Sequence, residues 1–308
     1  MGAGADARYP REHLTPAGKI VILAVNARQN SHTVDPTRLE ALAQAIRSRP
    51  LASDGRFYAP DVIIFNETTR RQIGRLTRKL QGLFEMARYE MVGSGDQSLK
   101  AKFVVNVATT DIKNRADITW PDSCLPDRLY QASEGLIERA SGAVFSVAGV
   151  HFSKDYPEDR FCKELNIQRM RLVTAIADGA TIVGGDMNRR AMNEQLQCDP
   201  FERSGDLPWY AEMVSTTSID TRSFVDMVRY WNRSNDRSLA DEWSHEWQEP
   251  SELCDGTRGY RHNRIDYLFA SVPGVGRPVL GATTDAAKAG EYSDHRIVWG
   301  MLRIAPRG

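Results

Sequence analysis

The 308-residue chain sets 40 Lys and Arg against 40 Asp and Glu, with 41% apolar and 26% charged residues. That composition describes a globule with a sizeable core, not a disordered or collagenous chain. Zero formal net charge argues against a protein that grips duplex DNA through a bulk basic excess, so any nucleic-acid site must rest on local patches.

No apolar run approaches the ~20 residues of a membrane span, and residues 1–18 lack the basic and apolar blocks of a signal peptide. The expectation is a monomer without a membrane span, cytoplasmic if the chain is complete and secreted if a leader has been trimmed. Cys124, Cys162, Cys198 and Cys254 are scattered, with no CxxC pair. Free thiols are expected, with two disulfides as the alternative for a secreted chain. Residues 1–18 are expected to be disordered and 19–308 to form one domain, since no Pro/Gly-rich linker divides the α and β segments.

In chain order, strands are expected at Ile20 to Val25, Val62 to Phe65, Phe103 to Ala108, Ala143 to Val150, Thr181 to Val183, Ile265 to Ala270 and Ile297 to Leu302, all rich in β-branched or aromatic residues. A helix over Pro36 to Arg49 puts Leu39, Leu42, Ala43 and Ile46 on one face, with Asp35 and Pro36 as cap and first-turn residues. A second, Thr69 to Phe84, spaces Ile73, Leu76, Leu80, Leu83 and Phe84 helically and leaves Arg70, Arg71, Arg75, Arg78 and Lys79 on the other face. A third, Glu164 to Ile176, turns Leu165, Leu172 and Ile176 inward. The polar stretch from about 231 to 260, with Trp231, Trp243 and Trp247, reads as a long surface loop.

The chemistry lies at strand ends. The first strand ends at Asn26, the second at Asn66-Glu67, the fourth at His151 and the fifth at Gly184-Gly185-Asp186-Met187-Asn188; Asp266 sits in the sixth, and Ser293-Asp294-His295 precedes the last. Taken singly these are ordinary turn residues, Asp266 pairs as easily with Arg264, and the histidines have structural uses. Gathered at one sheet edge, the acids would repel one another unless they held a cation, and oxygen ligands suit Mg2+ or Mn2+. A divalent ion beside two histidines is apparatus for phosphate-ester hydrolysis.

Asn26, Phe65-Asn66-Glu67, Val150-His151-Phe152, Gly185-Asp186-Met187-Asn188, Arg264-Ile265-Asp266-Tyr267 and Ser293-Asp294-His295 resemble, in order and approximate spacing, the endonuclease/exonuclease/phosphatase superfamily, the fold of deoxyribonuclease I. The resemblance implies a four-layered α/β sandwich of two packed mixed β-sheets flanked by helices. It implies Glu67 as principal metal ligand with Asn26 and Asp294 close to the ion, His295 as base oriented by Asp266, Asp186 and Asn188 positioning water and phosphate, and His151 contacting a phosphate oxygen or the leaving group. The activity implied is metal-dependent hydrolysis of phosphodiester bonds, with Mg2+ as cofactor, Mn2+ as substitute and nucleic acid as substrate. A small phosphorylated metabolite or lipid head group is the alternative.

Two departures stand out. Members of this family commonly place a tyrosine and a glutamate before the central strand, the glutamate backing the histidine that matches His151; here that segment reads Ser98-Leu99-Lys100-Ala101-Lys102-Phe103. The usual Gln before the metal-binding glutamate is Asn66. Arg70 to Lys79 with Lys100, Lys102, Arg189 and Arg190 form either a solvated basic surface or a phosphate track. Trp231, Trp243 and Trp247 either stack on a base or pack beneath the loop. His13, His32, His245 and His262 read as surface or structural residues.

Overall fold

A computed structural model describes residues 9–28, 35–48, 54–92, 101–113, 117–154, 159–174, 179–188, 208–215, 223–237, 243–246, 251–252, 257–259, 262–284 and 293–306. One sheet runs Val279–Thr284, Val298–Arg303, Lys19–Asn26, Val62–Asn66, Lys102–Asn106, Tyr89–Val92. The other runs Val225–Asp226, Asp266–Ser271, Ala180–Asp186, Val144–His151, Leu129–Glu138, Thr110–Ile112, with Asp117–Pro121 also paired to Leu129–Glu138.

Strand alternation makes the layers. Ile20, Ile22, Ala24 and Ile64 join Phe145, Val147, Ile182 and Leu268 in the core between the sheets. The intervening Val21, Leu23, Val25, Ile63 and Phe65 face outward, onto Leu39, Leu42, Ile46, Ile73, Leu76 and Leu80 of two helices. On the far side Ala148, Val150, Val183, Tyr267 and Phe269 pack against Cys162, Ile167, Met170, Trp209 and Met213. The expected four-layered sandwich is therefore the one observed. Full burial of each Val, Leu, Ile, Phe or Met side chain among these contributes about 1.5–3 kcal/mol.

The first two helices start where side chains satisfy their first N–H groups. Asp35 accepts from Thr37 and Arg38 ahead of Pro36–Arg47, and Thr69 and Gln72 form a reciprocal capping box ahead of Arg70–Leu83. The third helix, Asp159–Val173, is turned differently from expectation: Leu165 and Leu172 are 48% and 58% exposed. Its inner face instead carries Lys163, Asn166, Ile167, Met170 and Arg171. Polar groups there bond within the fold, Asn166 accepting from Ser123 N–H at 2.7 Å and Arg171 donating to the carbonyls of Glu212 and Ser215. Hydrophobic spacing alone was misleading because this buried face is half polar. Ile176 lies outside the described residues.

Other corrections follow from tertiary contacts. Residues 9–18 are not disordered: Glu12–His13 pairs with Phe57–Tyr58, and the Glu12 carboxylate accepts the N–H groups of Glu85, Met86 and Ala87. Residues 1–8 lie outside the described residues. Cys124 and Cys162 are not free thiols but a disulfide tying the loop after Asp117–Pro121 to the third helix; Cys198 and Cys254 lie outside the described residues. The stretch from 231 to 260 opens inside a helix, Met227–Ser234, capped by Asp226, and contains the short strands His245–Glu246 and Ser251–Glu252.

Asp61, 1% exposed at the head of Val62–Asn66, accepts Val21 N–H at 2.7 Å and the Thr109 hydroxyl. Burial raises its carboxyl from 3.8 to about 6 despite these bonds. A raised carboxyl favours the protonated fold, so this contribution is full below 3.8 and is lost as pH rises through about 6, a change of about 3 kcal/mol. Asp61→Asn, which can still serve both partners, should show little difference from wild type near about pH 4 and should gain on it by about pH 7. Urea unfolding at several pH values measures that gap; a constant gap would contradict the account.

Candidate active site

Register does the gathering. His151 is the cross-strand partner of Asp186, and Asp186 of Asp266, so three functional residues form one row across adjacent strands. Paired residues share a face of the sheet. In the facing sheet Asn26 pairs with Asn66, and Glu67 follows at φ 52, a left-handed conformation uncommon for a residue with a side chain.

Asn66 joins the two rows. Its Nδ2 donates to Val150 O at 2.9 Å and its Oδ1 accepts Asp186 N–H at 3.1 Å. The two glycines of the strand end Gly184-Gly185-Asp186 make room for this link. A Cβ at Gly184 would lie 2.6 Å from Ile64 Cδ1, and one at Gly185 2.0 Å from Val150 O. Lys102, 4% exposed, braces the adjoining turn by donating to Thr68 O at 2.6 Å, so it is buried support and not part of a phosphate track. Lys100, Arg189 and Arg190 lie outside the described residues.

All eight expected site residues converge. Asn26 Nδ2 donates to Asp186 Oδ2 at 2.9 Å and to Glu67 Oε1 at 3.2 Å, while its Oδ1 accepts Arg28 N–H at 3.0 Å, which fixes the amide's orientation. His151 Nε2 lies 3.4 Å from Glu67 Oε1 and 3.8 Å from Asp186 Oδ2. His295 Nδ1 is 2.8 Å from Asp266 Oδ2, and its Nε2 is 4.0 Å from Asp186 Oδ2 and 3.9 Å from Asp294 Oδ1. Asn188 N–H donates to Asp186 Oδ1 at 2.6 Å and its Nδ2 to Phe152 O at 2.7 Å. Arg264 pairs with Asp226, which leaves Asp266 to the histidine.

The electrostatics match this crowding. Burial would raise Glu67, but His151, Asn26 and His295 hold it at about 2. Burial and the neighbouring Asp266 push Asp186 up. Burial would lower His295, yet the charge and hydrogen bond of Asp266, with Asp186 and Asp294, raise it to about 10. The buried imidazole thus carries charge that compensates the acids around it. His151 Nδ1 is buried with no hydrogen-bond partner among the described residues, in keeping with a sequence that lacks the family's glutamate at Ser98 to Phe103.

Some contributors were not expected. Ser244 Oγ accepts the N–H groups of Ile265 and Asp266 at 3.0 and 2.9 Å and so sets the height of Asp266. Arg28 Nη1 pairs with Asp294 Oδ2 at 2.8 Å. His245, read as a surface or structural residue, packs against His295 with ring centroids 4.7 Å apart. Trp243 is sandwiched between His262, stacked at 4.1 Å, and the Arg296 guanidinium at 3.1 Å, and Trp231 packs against the inter-sheet core. The ring of Trp243 is thus occupied by His262 and Arg296; Trp247 and His32 lie outside the described residues.

The two facing sheets with carboxylates, carboxamides and imidazoles at their converging strand ends define the endonuclease/exonuclease/phosphatase fold, that of deoxyribonuclease I. Among solved structures, TDP2 from Caenorhabditis elegans matches with TM-score 0.58 at 15% identity over 92% of this chain and 74% of that one. An endonuclease/exonuclease/phosphatase from Bacteroides vulgatus matches with TM-score 0.57 at 14% identity over 93% and 99%. D. rerio TDP2 complexed with single strand DNA product matches with TM-score 0.57 at 14% identity over 92% and 98%. No protein-family model matches the sequence, and no curated protein matches it. At these identities the likeness is one of fold.

Proposed function

We propose that the protein is a divalent-metal-dependent phosphoesterase that hydrolyses phosphodiester bonds in nucleic acid. The observation that carries this is the Asp266–His295 pair at 2.8 Å, with the imidazole's Nε2 turned toward Asp186 and Asp294 beside Glu67. The donor chemistry fits a hard cation. Two carboxylates, from Glu67 and Asp186, are held by a single amide group of Asn26, a spacing at which an ion could replace the amide's positive hydrogens. Glu67 and Asp186 would hold Mg2+ or Mn2+, with Asp294 at its border and Asn26 orienting the ligands. When bound, the ion supplies charge neutralisation at the phosphoryl oxygens.

The remaining steps belong to the chain. His295, fixed in tautomer by Asp266, takes a proton at Nε2 from the attacking water once the charge of the acids that favour its protonated form is offset and the ring is neutral. Asp186, itself held by Asn66 and Asn188, orients that water. His151, in the same row as Asp186, faces the same space and donates a hydrogen bond to a phosphate oxygen or the leaving group. Nucleic acid is supported as the substrate class by the neighbour that holds a single strand DNA product.

Incubating the purified protein with Mg2+ and single- or double-stranded DNA and RNA, with Glu67→Ala as the blank, tests the reading. Cleavage lost in the blank is expected. Turnover of one phosphorylated metabolite with none on any polynucleotide would move the substrate to the small-molecule class, and inertness toward both would refute the phosphoesterase.

A further inference from the structure

The short strand His245–Glu246 folds back onto the segment that carries the proposed base. His245 forms a backbone bridge with His295, Glu246 N–H donates to Asp294 O at 3.1 Å, and Arg296 N–H to Ser244 O at 2.6 Å. This pairing fixes a third imidazole in the cleft. His245 Nε2 stands 3.6 Å from Asp294 Oδ2, and His295 Nε2 3.9 Å from Asp294 Oδ1; donor atoms of all three residues lie within 4.8 Å of one another.

We propose that His245, Asp294 and His295 form a second cation site, suited to an imidazole-seeking divalent ion such as Zn2+, which shuts the hydrolase off by occupying Nε2 of His295. Tetrahedral zinc with nitrogen and oxygen ligands near 2.0–2.1 Å sets its ligands about 3.3 Å apart. The observed spacings of 3.6 and 3.9 Å must close by some tenths of an ångström, which a rotation of the 19% exposed His245 side chain would supply. Two imidazoles and one carboxylate select such an ion over Mg2+, which the oxygen-rich Glu67 side of the cleft suits better.

The outer contacts are also those of a zinc site. His295 donates Nδ1–H to the Asp266 carboxylate at 2.8 Å, the partner that orients a metal-bound imidazole and raises its basicity. The same bond serves the base and the ligand. One Nε2 lone pair accepts a proton or a metal, not both, so the two states exclude each other. Arg28 opposes the ion, since its guanidinium holds Asp294 Oδ2 at 2.8 Å. Removing that charge should tighten binding while removing His245 weakens it, opposite signs that a merely structural role for the hairpin would not produce.

The binding half of this proposal is independent of the phosphoesterase reading; the shut-off half rests on it. The test adds Co2+, whose visible bands report tetrahedral nitrogen ligation, and then Zn2+ with a chromophoric competitor, to protein already saturated with Mg2+. Wild type and Glu67→Gln should bind one ion. His245→Ala and His245→Gln should each weaken zinc by at least about tenfold, the lower edge of what losing even an outer partner costs, and Arg28→Gln should strengthen it. Unchanged zinc affinity in both His245 variants, or no binding by wild type, overturns the site. In parallel, zinc should inhibit hydrolysis at the concentrations at which it binds, and full activity of the zinc-loaded protein overturns the shut-off. Cobalt bands without hydrolysis of any substrate would refute the phosphoesterase reading and uphold the site.

Discussion

Asp266→Asn is expected to cut turnover by roughly three to four orders of magnitude, the loss that follows when a catalytic histidine's carboxylate partner becomes an amide, while the protein stays folded. The carboxylate accepts from His295 Nδ1 at 2.8 Å, which keeps the proton off Nε2 when the ring is neutral. A carboxamide there can present N–H to Nδ1 and so drive the ring to the tautomer that cannot accept a proton from water. Some stability should go with the turnover, because the charge and hydrogen bond of Asp266 favour the buried charged ring of His295. Relief of its repulsion with the buried Asp186 carboxyl offsets part of that loss. Steady-state kinetics beside thermal unfolding make the check. A variant that keeps more than about a tenth of wild-type turnover would remove Asp266 from the mechanism, because orientation of a general base is worth at least about 100-fold.

The largest loss of stability is expected at Gly185→Ala. Gly185 has φ 135, and a Cβ would sit 2.0 Å from Val150 O and 2.7 Å from Asn66 Oδ1. Neither neighbour can yield cheaply, since Val150 is its register partner and Asn66 is the amide that links the two sheets. Backbone strain and overpacking together cost about 3–5 kcal/mol, or a fall of roughly 10 °C in a domain of this size. Asp186 and Glu67 are positioned through the same link, so activity should fall with stability. Gly274→Ala is the control, with φ 73 and nothing within 4 Å of the added carbon; it should cost only about 1 kcal/mol, the price of a left-handed backbone. Equal melting shifts in the two variants would show that the crowding at Gly185 is not real.

Much of the site was legible before the fold. The eight expected residues all end, border or lie at the head of a strand, and each motif is local enough to be recognised in the linear chain. What linear reading missed are residues whose role depends on a partner far away. Asn66 spans both sheets through contacts 84 and 120 residues distant, and Ser244 supports Asp266 across 22 residues. His245 looked like one more polar residue of a loop. The short pairing with Asp294 and His295 brings it to the cleft, and two-residue strands carry no periodic signal. The third helix failed in the same way, because Lys163, Asn166 and Arg171 are buried, and burial of a polar side chain shows only when its hydrogen-bond partners are known.

By itself the sequence determined an α/β chain, through its apolar strands and two amphipathic helices, and the identities of the acids, amides and imidazoles that end those strands; the four layers were implied by the resemblance those motifs carry. Tertiary structure alone decided the strand registers that align His151, Asp186 and Asp266, the pairing of Cys124 with Cys162, and the return of His245 to the base. The division has one physical cause: periodicity and capping are short-range properties written in neighbouring residues, whereas register, disulfide pairing and buried polar contacts depend on which distant segments packing brings together.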